Sequence, residues 1–139
     1  MGNNVKITIP GYAKYRGKGF HAFILHRTSG LGTMAFLTLH ITTTATVFYA
    51  PQYYDVLVEI FRNPIIMIAE IILAFFVIYH GVNGLRIAYV DLIRPDLWLK
   101  QPTIKLMSAV FVVTFLLWLP AAGILGYNLL KHGFNLFGS

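Results

Sequence analysis

Three histidines stand in long stretches of the chain that are nearly free of charge. His26 and His40 belong to the run that begins near Leu25, and His80 belongs to the run that begins at Pro64. Ionisable groups in apolar surroundings are costly and by default mark a function. His26, Thr33 and His40 are spaced by seven and seven, which sets them close to one stripe of a helix. At 1.5 Å rise per residue, His26 and His40 are about 21 Å apart along that helix, too far for one flat macrocycle to take both as axial ligands. His80, Asn83 and Gly84 share a face at i, i+3 and i+4, and Gly81 is a second position without a side chain. Missing bulk lets a macrocycle approach, and it equally lets another helix approach. Arg86 follows His80 by about 9 Å of helix, a reach that suits a carboxylate such as a haem propionate.

Each of these residues also has a plainer reading. A membrane histidine can hydrogen-bond across helices, Arg27 and Arg86 can snorkel to headgroups, and Glu70, near the far end of its run, can simply reach water instead of transferring protons. His21 and His132 fall outside or at the interface, where solvation accounts for them. The combination is stronger: two mid-membrane imidazoles, glycines beside one and arginines at the inner rim. Neutral imidazole is a natural axial ligand for haem iron.

The elements that position these groups follow from composition. The chain has 139 residues, 57% hydrophobic and 12% charged, where a soluble domain carries about a quarter charged. A membrane-crossing helix needs roughly 20 apolar residues. Three stretches qualify, at about 25–49, 64–90 and 103–130, and residues 1–24 form a polar, basic amino-terminal segment. The reading is an all-α membrane protein of three transmembrane helices, a single domain over 1–139 with no room for a separate catalytic domain. Cysteine is absent, which excludes disulfides, thiolate chemistry and Cys-ligated iron–sulfur clusters in this chain. No signal-peptide apolar core precedes the first stretch.

The net charge of +6 does not point to nucleic acid, because the basic residues are grouped by membrane side. Lys6, Lys14, Arg16, Lys18 and Arg27 precede or open the first stretch, and Arg86, Arg94, Lys100 and Lys105 flank the turn between the second and third. The opposite ends carry only Arg62 and Lys131. Positive residues favour the cytoplasm, so the amino terminus is expected inside and the carboxyl terminus outside. Tyr12, Tyr15, Tyr49, Tyr53, Tyr54, Tyr89, Trp98 and Tyr127 fall near the expected helix ends, as an aromatic belt does. Trp118 and Pro120 lie deep in the third stretch, where packing and a proline kink are the expectation.

The segment His26-Arg27-Thr28-Ser29-Gly30, followed some fifty residues later by His80-Gly81-Val82-Asn83-Gly84-Leu85-Arg86 and Asp91, resembles the cytochrome b556 membrane anchor subunit of succinate dehydrogenase. The shared pattern is HR-x-S-G heading the first helix and H-x-x-x-G-[IL]-R in the second, and the likeness covers about residues 20–130. It implies that His80 is an axial ligand of haem b, completed by a second, haem-ligating anchor subunit bundled with this one. It places His26 and Arg27 near the haem propionates and Arg27 and Ser29 near quinone, with Ser29 alternatively capping the helix start. Electrons from succinate, a tricarboxylic acid cycle substrate, would pass from a flavoprotein through an iron–sulfur subunit to quinone at the inner face. This chain would then be a non-catalytic-centre subunit of succinate:quinone oxidoreductase in the cell inner membrane.

Two departures qualify the likeness. Phe23 stands where many members carry a quinone-binding serine, and His40 resembles the first-helix histidine of two-haem members. His40 lies about 20 Å from the inner end of its helix and His80 roughly 9 to 15 Å, so a proximal and a distal haem would fit; with a distal haem, Glu70 could exchange protons at a second quinone site. A single haem held by His40 and His80 is the alternative, provided that the helices are shifted. The anchor of a quinol:fumarate reductase, or a haem-free structural or transport subunit, remain competing readings.

Overall fold

The computed structural model of the chain describes the backbone of residues 9–98 and 100–134, with side chains over 20–97 and 105–134. Lys6 lies outside the described residues, as do the side chains of Tyr12, Lys14, Tyr15, Arg16, Lys18, Trp98 and Lys100. The elements run α1 (Ile9–Tyr49), α2 (Pro51–Phe61), α3 (Pro64–Leu92), a 3₁₀ turn (Pro95–Trp98), α4 (Lys100–Asn128) and a closing π turn (Leu129–Gly133). Three segments are long and apolar enough to cross a membrane: Phe20–Tyr49, Pro64–Leu92 and Lys105–Gly133.

The three expected spans are present, with two corrections. The first helix starts at Ile9 and not near Leu25, because a helix does not stop where its residues become polar. Its apolar part begins at Phe20, so the preceding turns carry the basic segment beyond the span. The second correction is α2, an eleven-residue helix absent from the sequence reading. Pro51 opens it, pre-set in φ and with no N–H to leave unsatisfied. Asp55 and Glu59 interrupt its apolar residues, so the segment never resembles a span. The start of α3 is as expected from Pro64, and Asn63 caps it: its Oδ1 accepts the Ile65 N–H at 2.9 Å.

The core lies where α3 packs between α1 and α4. Ala22 and Ser29 from α1, Tyr79, Asn83 and Val90 from α3, and Val110 and Thr114 from α4 are buried there. Phe75, Tyr79, Phe111, Phe115 and Trp118 form a continuous aromatic seam between α3 and α4, with ring centroids 5.5–6.1 Å apart. Two hydrogen bonds tie this seam to backbone. Trp118 Nε1–H donates to the Ile71 carbonyl at 3.1 Å, and the Tyr79 hydroxyl donates to the Ala22 carbonyl at 3.3 Å. Packing therefore accounts for Trp118. Pro120 lies within α4, where it cannot supply the N–H that the Leu116 carbonyl would receive.

Large apolar side chains face outward, among them Leu31, Met34, Phe48, Leu85, Leu92 and Ile124. That pattern fits lipid and partner helices as the surroundings. The threonines of α1 hide their polarity within the helix: the hydroxyls of Thr38, Thr42 and Thr44 donate to the carbonyls of Met34, Thr38 and His40 at 2.7–2.9 Å. Outside the spans, Arg94 grips Asp96 through two bonds of 2.9 and 2.8 Å and closes the turn before α4. Those bonds hold the Asp96 carboxyl below its ordinary range. A depressed carboxyl stabilises the fold above its unfolded pKa, so this contribution persists at neutral pH and is lost as pH falls through the lowered value.

Candidate functional site

His26 on α1 and His80 on α3 meet face to face. Their rings are 4.3 Å apart between centroids and tilted by only 3°. His80 Nδ1 lies 3.1 Å from the His26 carbonyl oxygen. A carbonyl can only accept, so this bond requires the proton on Nδ1. The tautomer follows. In the neutral imidazole Nε2 then keeps its lone pair, and among the described residues nothing hydrogen-bonds to it.

The approach of the two helices depends on Gly30. A Cβ added there would sit 2.9 Å from His80 Cε1 and 3.2 Å from its Nδ1, so any side chain at this position displaces the imidazole. Ser29, fully buried, donates its hydroxyl to the same His26 carbonyl at 3.0 Å. Ser29 stands far inside α1, whose start lies at Ile9, so it does not cap the helix. Three members of the HR-x-S-G segment, His26, Ser29 and Gly30, thus form the seat of one α3 side chain.

The glycines of α3 act differently from the sequence reading, which set both beside His80. A Cβ at Gly84 would lie 4.0 Å from His26 Cε1, so Gly84 faces the partner ring. Gly81 borders open space, with nothing within 4 Å of such an atom. Asn83, on the same face as His80, is buried in the core. Sequence reasoning missed Tyr79, which is fully buried next to His80 and reaches across to α1. Only its hydroxyl hints at that role, since a tyrosine in a span needs a partner for it.

The arginines separate. Arg86 carries Nε and Nη1 buried and without hydrogen-bond partners among the described residues, and His26 Nδ1 is in the same condition. The Arg86 charge also bears on His26 and on Tyr79. The Arg86 N–H groups are obligate donors, and leaving them buried and unpaired costs free energy. Arg27, by contrast, is exposed, and its guanidinium lies over the Phe23 ring at 5.3 Å. Phe23 thus gives Arg27 a cation–π platform.

His40 is remote from the His26–His80 pair, about 21 Å further along α1. That separation removes the arrangement in which one haem is shared by His40 and His80. His40 stacks on Phe36 at 5.7 Å and lines a cavity of about 360 Å³ between α1, α2 and α3. Glu70, Tyr54 and Thr43 line the same cavity, beneath α2. The His26–His80 pair and the cavity lined by His40 and Glu70 therefore lie at different depths of the chain. Among the described residues no three His, Asp or Glu side chains gather as a metal site, a condition that a single axial imidazole does not need.

Comparison with known proteins places the chain in a family. The membrane subunit SdhC of succinate dehydrogenase 2 from Mycobacterium tuberculosis is 27% identical over 124 residues, covering 88% of this chain and 89% of that protein. The family description succinate dehydrogenase/fumarate reductase transmembrane subunit matches residues 8–121. Three apolar spans and a match that runs through both motifs lead to one conclusion: the chain belongs to the succinate dehydrogenase/fumarate reductase transmembrane subunit family.

Proposed function

We propose that this chain is a haem-binding anchor of succinate dehydrogenase that passes electrons from an iron–sulfur subunit to quinone. One observation carries the reading: His80 is oriented by a backbone carbonyl so that the lone pair of Nε2 is free, the state an axial ligand needs. The chain fits haem b in two further respects. Gly30 leaves room for the imidazole, and the unpaired N–H donors of Arg86, near His26, suit acidic propionates. Haem would supply a one-electron carrier between the iron–sulfur subunit and quinone. His80 would hold the iron from this side, with a second anchor subunit holding the other. The flavoprotein partner would oxidise succinate.

The redox spectrum of the purified complex tests the reading. A b-type band in the reduced-minus-oxidised difference supports it, and a flat spectrum overturns it. Pyridine haemochrome on the same sample counts the haems. Two per complex support a second haem at His40, and one excludes it. A fumarate reductase anchor would share this chemistry with electrons flowing from a low-potential quinol, and the haem midpoint potentials separate the two directions.

Quinone is assigned to Arg27, the exposed cation beside the haem-side histidines, where it would stabilise negative charge developing on reduction. Ser29, grouped with quinone by the resemblance, is buried and committed to the His26 carbonyl, so we assign it to the seat of His80. Glu70 is assigned to proton exchange in the cavity that it shares with His40. One pair of assays tests both assignments. Arg27→Gln should lower succinate:quinone turnover by at least tenfold while succinate oxidation by an artificial acceptor persists; equal loss of both refutes the role. Glu70→Gln should change the pH dependence of quinone turnover, and an unchanged profile removes Glu70. The orientation follows the basic residues, with the amino terminus in the cytoplasm and the protein in the inner membrane.

A further inference from the structure

One carbonyl oxygen in this site is faced by three hydrogen-bond donors. The helix assigns the His26 carbonyl to the Gly30 N–H, four residues on. The Ser29 hydroxyl donates to it at 3.0 Å, and the His80 Nδ1–H donates to it at 3.1 Å. A carbonyl has two lone pairs, so the three donors compete.

From this crowding we infer that Ser29 sets the reduction potential of the iron held by His80, acting through the His26 carbonyl without touching the haem. The inference rests on the assignment of His80 as axial ligand. The stronger the acceptor that faces an imidazole's distal N–H, the more basic the imidazole and the more it favours oxidised iron. The Ser29 hydroxyl draws on the same oxygen, weakens its hold on the His80 proton and so keeps the potential high. Ser29 is fully buried, so water cannot replace its hydroxyl when it is removed. Gly30 permits the competition, because a side chain there would displace the His80 ring from this carbonyl. Ser29 is therefore a positioning and tuning residue, and the serine of the HR-x-S-G segment acquires an electronic purpose.

Potentiometric titration of the b-type band in the purified complex tests this. Ser29→Ala and Ser29→Gly both delete the hydroxyl, and each should shift the midpoint to more negative potential with the band retained. Ser29→Thr keeps the hydroxyl and should hold the wild-type midpoint. Midpoints that do not move in the Ala and Gly variants, or that move positive, overturn the inference. A negative shift shared equally by Thr also overturns it, since bulk and not the hydroxyl would then be the cause. Failure of the underlying reading looks different: the wild-type complex would show no b-type band to titrate.

Discussion

A single methyl group decides whether α1 and α3 can meet at the site. At position 30 it would fall 2.9 Å from the His80 ring, one face of which is already covered by the stacked His26 ring. Overpacking of this kind costs about 1–3 kcal/mol, and here the strain falls on the proposed ligand. Gly30→Ala should therefore remove most of the b-type absorbance from assembled complex. Gly123→Ala, at a position with nothing within 4 Å, should leave it intact. Equal spectra from the two variants would dissociate Gly30 from the ligand. At this scale the sequence was only partly legible. It exposed His26, Arg86 and His80 as polar groups out of place, but not which glycine serves which ring. Gly30 and His80 are fifty residues apart, and their contact depends on how two helices rotate about their axes. Periodicity within one helix does not report that rotation.

The spans themselves were visible because a bilayer demands a long apolar run for every crossing. The ends of α3 show this well: Pro64 and Asn63 fix its start in any setting. Local chemistry revealed less where that demand lapses. The first turns of α1 are too polar for a span, and α2 is too short for one, so hydropathy is silent on both although each is helical. Inter-helix bonds are likewise invisible in sequence, and the Trp118 bond to the Ile71 carbonyl joins α4 to α3 across 47 positions. Such a bond contributes about 0.5–1.5 kcal/mol. Trp118→Phe keeps an aromatic ring in the seam and loses the donor, so it should lower the thermal midpoint of the complex by a few degrees while the haem spectrum persists. An unchanged midpoint would show that the bond adds nothing to stability.

Across the whole molecule, the same pair of helices holds the His26–His80 stack and the His40–Glu70 cavity at different depths. On the basic side, α1 and α3 bring His26, His80 and Arg86 together. On the opposite side, His40 and Glu70 line a cavity that α2 covers. Little of the surface is suited to water, and the outward Leu85, Leu92 and Leu116 call for lipid or a partner subunit around the bundle. In such a layout the soluble subunits would deliver electrons on the basic side, at the His26–His80 centre. The measurement that tests this account most directly is the reduced-minus-oxidised spectrum of assembled complexes carrying His80→Ala or His40→Ala. His80→Ala should abolish the b-type band on the basic side, and His40→Ala should leave at least that band in place. A full band in the His80→Ala complex would contradict the account.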